Sequence, residues 1–526
     1  MDFPLNLELQ CFQKSEVFPQ DVAYELLHIG CCCRCILRFM GEKDGDLYRN
    51  TDEDIEKCVK SLVSQSTIYE ESYEDATPAV SADSPTAMLH KVKQCTACLG
   101  ALQEFSSMDY LQKIQRKVHE EGFQFKEYLI SISTPTCILC RQHSIMLHLK
   151  EKFPAVYSSM LDGDFPKIKD VWKWRNGPLL EELLGVPFGQ KSPFHIGLTF
   201  TYANSDRECN FLLNYQPDIF RKRKQNRKYL GDTFTRANVG KALSDIPNSE
   251  FRRYFQCPPP KPVSECTSII SCTCTPLYLA GRYNKYSRSL SQTPWLINGV
   301  RKMENSVEEL ICRKIKEKYD ADEYRFSSSG REDVDVRMLG AGRPFLVELI
   351  NPHLVNWMPE DITQLQKSIN GDTKDVKVND LQVVPREETD RLKEGEMEKE
   401  KTYTALCWST KVLTQEDLDK LAQYKDLKVM QKTPIRVIHR RPLADREKVI
   451  FNMSAEKIDK SHFRLSLSTQ AGTYIKEFVH GDFGRTQPNL STLLGMECDI
   501  LELDVEEVKL DWPPSLDSVD EEMPVS

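Results

Sequence analysis

The chain has 526 residues, a formal net charge of −9, 18 cysteines, 40% hydrophobic and 28% charged residues. That length predicts two or three domains rather than one core, and no stretch approaches the run of about 20 apolar residues that spans a bilayer. "MDFPLNLELQCF" lacks a basic n-region and a cleavage site, so no secretory signal is expected, and the cysteines are read as metal ligands or buried thiols in a reducing compartment rather than as disulfides.

Taken in chain order, a segment of roughly 1–60 mixes helical periodicity with a cysteine cluster. "GCCCRC" holds Cys32 and Cys35, and "KQCTACLG" holds Cys95 and Cys98. Two C-x-x-C pairs supply four thiolates, the ligand set of a tetrahedral structural zinc. Thiolate–metal bonds can close the long loop between them. Cys31 and Cys33 remain alternatives to Cys32, which has the right spacing to Cys35. Residues 64–88 lose hydrophobic periodicity and gain Ser, Glu, Asp and Pro, so they read as an acidic linker. From about 90 to 265, helical and strand patterns alternate ("KEYLISISTP", "PFHIGLTFTYA").

Within that stretch, His119, Glu121, Cys137 and Cys140 imitate the H-x-E…P-C-x-x-C order of zinc nucleobase deaminases. Thr136 intrudes between Pro135 and Cys137, and the halves lie close together. Chance and a core role for "CILC" are the better reading. "FRKRKQNRKYL" (220–230) is a basic run. An acidic total does not favour a polyanionic partner, but local patches decide such binding. "FQCPPPKPVSE" (255–265) is a Pro-rich break, placing a domain boundary at 265/266.

The second half, about 266–512, has its own strands ("TPLYLAGRY", "RPFLVELI", "KTYTALCWST", "FRLSLSTQ"). It also has an amphipathic helix, "SVEELICRKIKEKY", with Val307, Leu310, Ile311 and Ile315 on one face. This mixture predicts an α+β domain. "TPIRVIHRRPLADREK" (433–448) gathers Arg436, His439, Arg440, Arg441 and Arg446, suited to a nucleic-acid backbone. "GDFG" (481–484) resembles a kinase metal motif, but no phosphate loop, strand lysine or catalytic loop precedes it. Residues 513–526 form an acidic tail. In "SSSGREDVDVRML" (327–339), period-2 alternation predicts a strand. Val334, Val336 and Met338 would be buried, with Asp333, Asp335 and Arg337 on the other face.

Three separated motifs resemble those of pseudouridine synthases. "GRED" (330–333) is similar to the G-R-x-D catalytic loop of TruA-type enzymes. "KTYTALCW" (401–408) is similar to the K-x-Y motif of TruB-like enzymes, and "GTYIKEF" (472–478) to their G-T-Y-I-R/K segment. "RYNKYSRSLSQTPW", "DVDVRMLGAGRPF", "ELINPH", "VHGDFGRT" and the N-terminal cysteine pairs resemble one branch, the Pus ten family of archaea and eukaryotes.

That resemblance implies isomerisation of uridine to pseudouridine in tRNA, at positions 54 and/or 55 of the TΨC arm, with structural zinc and no catalytic cofactor. It also implies a nuclear part in microRNA processing and a location in both cytoplasm and nucleus. Asp333 matches the catalytic aspartate. Lys476 stands where most relatives outside the branch carry the arginine that neutralises it. Tyr403 and Tyr474 match the uridine-pocket tyrosines. The 293–306 segment, with Thr293 and Trp295, resembles an RNA-gripping forefinger loop. The 431–446 segment, with Arg436, His439, Arg440 and Arg441, resembles a thumb loop. Residues 1–265 resemble an α/β THUMP-like accessory module. The catalytic domain is expected to carry a mixed, mostly antiparallel sheet flanked by helices. Asp335 is expected beside Asp333 in a supporting role, with Arg337 as its counter-charge. The competing reading is a zinc-dependent RNA-processing factor without catalysis.

Overall fold

The computed structural model describes residues 17–66, 92–161, 163–220, 233–392, 400–439 and 441–516. The basic run at 221–228, most of the 64–88 linker, Arg440 and the tail from 517 onward lie outside the described residues. The chain divides into two compact units, 1–273 and 274–526.

In the first unit, Pro at the first turn starts the Pro19–Ile29 helix. Gly30, at φ 93, ends it by returning its N–H to the carbonyls of Leu26 and Leu27. The Asp52–Val63 helix is capped by Thr51, which accepts from the Asp54 N–H, and it buries Ile55, Val59 and Val63 at four-residue spacing. A three-stranded sheet orders β1 (Leu129–Ser133), β2 (Phe194–Tyr202) and β3 (Cys266–Cys274) side by side. β1 and β2 are parallel, so a crossover must join them. The Cys137–Lys152 and Ile168–Leu184 helices lie in that connection.

The second unit is built on a ten-stranded sheet. Its strands begin with β4 (Leu277–Lys285). A small separate hairpin follows, β5 (Leu296–Ile297) and β6 (Val300–Arg301). Next come β7 (Ala321–Ser328), β8 (Val336–Pro352), β9 (Val376–Val383) and β10 (Lys401–Ser409). The last five are β11 (Lys425–Lys432), β12 (Asp445–Lys457), β13 (His462–Thr469), β14 (Thr486–Gln487) and β15 (Cys498–Val508). The spatial order is β14-β11-β12-β13-β10-β15-β8-β4-β9, with β7 also on β8. The β15–β8 pairing is parallel, against antiparallel pairings such as β10–β13, β10–β15, β4–β8 and β7–β8. This is the mixed, mostly antiparallel α+β sheet expected of the second half. The Val307–Tyr319 helix, capped by Ser306, sinks Val307, Ile311 and Ile315 into a core shared with Val336, Met338, Val347, Leu465 and Val505.

β8 is the spine of this unit. Its first residues pair with β15, and residues 345–352 pair with β7. The change of partner runs through Gly340, at φ 56, where a Cβ would lie 2.0 Å from the Glu506 carbonyl oxygen. Only glycine fits there.

The strand expected from Asp333 onward is shorter than its alternation suggests. β7 ends at Ser328 and β8 begins at Val336, so residues 329–335 form a loop. Val336 and Met338 are buried as expected, but Val334 is only half-buried. The backbone explains the difference. The Asp333 carbonyl accepts from the Val336 N–H (3.1 Å) in a turn. The Asp333 and Val334 carbonyls also accept from Lys285 Nζ (3.0 and 2.8 Å) instead of from a neighbouring strand.

Candidate active site

The 329–335 loop is held from beneath by buried polar groups. Arg343, on β8, donates from Nε to Glu332 Oε2 (2.8 Å) and from Nη1 to the Ser329 carbonyl (2.7 Å). Tyr283, on β4, donates its hydroxyl proton to Glu332 Oε1 (2.9 Å). Gln292 Nε2 reaches the Tyr283 hydroxyl (2.7 Å) and the Gly330 carbonyl (3.0 Å). Lys285, at 0% exposure, donates to the carbonyls of Leu290 (2.7 Å), Asp333 and Val334. Burial pushes its ammonium down to about 8. A network satisfied at this many points is rigid. Sequence reasoning did not single out Lys285, Glu332, Arg343 or Gln292, and it reads Tyr283 only as an aromatic available for stacking on unpaired bases, whereas the ring is fully buried and its hydroxyl is bound to Glu332. The available signal was a full charge inside an apolar strand, as in "LYLAGRYNK" and "GRPFLVELI", which demands a buried partner.

The Asp333 side chain projects from this loop, 36% exposed. Its nearest cation is Arg436, with Nη1 at 2.8 Å from Oδ2. Lys476, the expected partner, lies 3.7 Å from Asp333 and instead contacts Asp335 at 2.7 and 2.9 Å. Arg337 is not the counter-charge of Asp335. It grips Asp504 at 2.9 and 2.5 Å, because Arg337 and Asp504 stand directly opposite in the β8–β15 register. Asp335 sits in the turn before β8, where strand geometry does not apply. Burial, the largest single influence, raises its carboxyl, but the Lys476 hydrogen bond and charge, a backbone hydrogen bond and the Lys285 charge together outweigh it and hold the group below the usual carboxylate range.

Arg436 is itself aimed from behind. Its Nε donates to Glu477 Oε1 (2.7 Å), and the Glu477 side chain is 2% exposed. The backbone around it is fixed by the Ile435 N–H donating to Asp482 Oδ2 (3.2 Å). The next element is equally constrained. Gln431, at the end of β11, accepts from the Tyr474 N–H and donates to the Tyr474 carbonyl, both at 2.9 Å. Tyr474 precedes the Ile475–His480 helix, which carries Lys476 and Glu477.

The other expected contacts occupy the same unit. Tyr403 is half-buried on β10, opposite Leu467 and Val505 on the flanking strands. Burial raises its hydroxyl, against the lowering effect of the Arg343 charge. Thr293 is half-buried, and Trp295 is 43% exposed at the base of the β5–β6 hairpin. That hairpin turns through Asn298 (φ 51) and Gly299 (φ 76), the positive-φ pair of a tight two-residue turn. His439 and Arg441 are exposed. The contacts bring together Asp333, Asp335, Arg436, Lys476 and Glu477 at the head of a rigid loop, whereas the side chains of Thr293, Trp295, His439 and Arg441 form no hydrogen bond or ion pair with that cluster among the described residues. Such a site can hold an ionised carboxylate against a sugar while basic groups engage phosphates.

In the first unit, the sulfurs of Cys32, Cys35, Cys95 and Cys98 lie within 4.8 Å of one another, all buried. The Cys32 and Cys98 N–H groups point at Cys95 Sγ (3.2 and 3.4 Å), the Leu102 N–H at Cys98 Sγ (3.5 Å) and Arg38 Nη1 at Cys35 Sγ (3.5 Å). Donors converging on sulfur suit thiolates, so the donor set fits a tetrahedral metal. Cys31 and Cys33 are not in the group. Among the described residues this is the only such gathering of three or more His, Cys, Asp or Glu side chains. His119, Glu121, Cys137 and Cys140 do not form one. Glu121 pairs with Lys117, and Cys140 lies 4.0 Å from Cys209.

Comparison with known proteins follows the same division. The family model "Pus10, C-terminal" matches residues 278–509, and "Eukaryotic Pus10, N-terminal" matches residues 95–274. The curated "tRNA pseudouridine synthase Pus10" of Homo sapiens is 42% identical over 94% of this chain and 98% of its own length. The protein of the same name from Pyrococcus furiosus is 37% identical over 43% of this chain and 56% of its own length. A solved Cbf5-Nop10-Gar1 complex covers 43% of this chain and 47% of that chain at 14% identity and a TM-score of 0.24, too slight a likeness to add to the fold. On the two family models and the near-full-length relatives, the chain belongs to the Pus10 family.

Proposed function

We propose that this protein is a tRNA pseudouridine synthase in which Asp333 is the reacting carboxylate. The observation that carries this is the placement of Asp333 on a braced loop, 2.8 Å from an arginine that is itself held by a buried glutamate. The reaction is an isomerisation. The N1–C1′ bond breaks, the uracil turns, and C5 bonds to C1′; the C5 proton leaves and N1 gains one. No electrons are exchanged, so the chain's own residues suffice. The target must leave the base stack to be reached. Asp333 acts ionised, as nucleophile or as base toward the ribose, with Arg436 stabilising its charge. Tyr403 and Tyr474 line the uridine pocket, and Lys476 steadies Asp335 at its edge. Thr293 and Trp295 on one side, and Arg436, His439, Arg440 and Arg441 on the other, grip the RNA.

The same reading assigns the four cysteines a structural zinc and the first unit a THUMP-like RNA-docking role. Its substrate position is 54 and/or 55 of the TΨC arm. A nuclear part in microRNA processing, beside cytoplasmic tRNA modification, completes it. What supports these finer points is the motif resemblance to both archaeal and eukaryotic branches. Carbodiimide-dependent primer-extension stops on treated tRNA test the activity and report the position. Unchanged RNA mass separates isomerisation from deamination. Asp333→Ala is expected to abolish the stops while retaining RNA binding. Full activity in that variant removes Asp333 from the mechanism, and no stops with the wild type leaves a non-catalytic RNA-processing factor.

A further inference from the structure

The "GDFG" turn, Gly481–Gly484, has no part in the function described so far. Asp482 (φ 46, ψ 51) and Phe483 (φ 56, ψ 40) are both left-handed. For an aromatic residue this is a true outlier, maintained only when its surroundings enforce it. The enforcement is visible. Asp482 Oδ2 accepts from the Ile435 N–H, with Arg485 3.6 Å away. The Asp482 N–H donates to His480 Nδ1 (3.1 Å). Arg485 Nη2 donates to the Thr433 carbonyl (2.7 Å), and the Lys432 N–H to the Arg485 carbonyl (3.0 Å). The turn is thus fastened to the stem of the 431–446 segment, one residue from Arg436.

All of that anchoring belongs to Asp482 and Arg485. Phe483 is 95% exposed, so burial of its ring does nothing to offset the strained backbone that those anchors impose. Glycine would satisfy the same φ without strain. The surroundings point to a ligand with a flat apolar face and negative charge. Ile435 and Ile438 are exposed beside the guanidinium groups of Arg436 and Arg441 and the imidazole of His439. We propose that Phe483 is a stacking platform for an unpaired nucleobase of the RNA substrate, presented next to the reacting uridine. Every base offers a π face, and the neighbouring cations would meet the phosphates.

This rests on the RNA-isomerase reading, and the test separates the two. The full chain is assayed on a tRNA transcript with Phe483→Ala, Phe483→Gly, Phe483→Leu and Phe483→Trp. Stacking predicts a KM within about twofold of wild type for Phe483→Trp, and a rise of roughly 5- to 30-fold for Ala, Gly and Leu. Their rates at saturating RNA should change far less than KM. Phe483→Gly should unfold at the same temperature or higher, since it relieves strain, which excludes misfolding as the cause. Wild-type KM in Ala, Gly and Leu, or a Trp variant as impaired as Ala, overturns the proposal; so does a ring that binds only a protein partner. Should the wild type form no pseudouridine, the enzymatic reading fails, and equilibrium RNA binding of the same variants decides the stacking alone.

Discussion

Arg436→Ala removes two contacts at once, and their sizes differ. The pair with Asp333 is 37% and 36% exposed on its two sides, so its own contribution to stability is about 0.2–1 kcal/mol. Glu477 is different: its side chain is 2% exposed, Arg436 holds Oε1, and the buried Oε2 has no hydrogen-bond partner among the described residues. Stranding that buried charge costs about 3–5 kcal/mol. The catalytic loss is of similar size. Removing one preorganised charge partner from a reacting group typically lowers the rate by about 10²–10³-fold. The assay is single-turnover pseudouridine formation at saturating RNA, read beside thermal unfolding. Adding Glu477→Gln to Arg436→Ala neutralises the stranded carboxylate, so most of the stability should return while the rate stays low. Lys476→Ala removes the partner of Asp335, 2.7 Å away, and a group 3.7 Å from Asp333, so less than about a tenfold loss is expected. If Lys476→Ala loses more activity than Arg436→Ala, the resting pair is not the working one and the reasoning is wrong.

Lys285→Met should slacken the 329–335 loop and lower the rate at every pH. In the intact protein burial moves Lys285 from the usual 10.5 to about 8. The folded chain therefore sheds this proton before the unfolded chain does, and between about 8 and 10.5 this group raises global stability by escaping the cost of a buried charge. The ammonium loses one of its three donors in that window, so the rate should fall above pH of about 8. An alkaline limb unchanged in Lys285→Met would refute this. The purified protein should carry one zinc per chain by atomic absorption, lost in Cys95→Ser and kept in Cys33→Ser. Chelation should cost the protein at least several kcal/mol of stability. Gly340→Ala should lower the thermal midpoint more than Gly330→Ala, although both φ values are positive. An added Cβ meets a backbone carbonyl at 2.0 Å in the first, and the tip of the Lys401 side chain at 2.9 Å in the second.

Local pattern made much of this protein legible. The runs "TPLYLAGRY", "RPFLVELI", "KTYTALCWST" and "FRLSLSTQ" lie in β4, β8, β10 and β13. Ligand spacing found the four cysteines that lie together, and short motifs proposed Asp333, Tyr403, Tyr474 and Lys476, of which Asp333 and Lys476 lie 3.7 Å apart. Period-2 alternation failed at Val334 for a specific reason. It reports which side chains are apolar, but strand formation depends on where the carbonyls find donors. Those of Asp333 and Val334 find Lys285, 48 and 49 residues away.

By itself the sequence determined which residue types stand at the proposed reacting position, and that two cysteine pairs could meet. It could not determine which cation serves which carboxylate. Asp333, Asp335 and Arg337 are neighbours in the chain, yet their partners are Arg436, Lys476 and Asp504, more than a hundred residues distant. Charge pairing follows separation in space and the depth of burial around each group. Both are set by how β8, the Ile435–Val437 turn and the Ile475–His480 helix come together, and only the tertiary structure decides that.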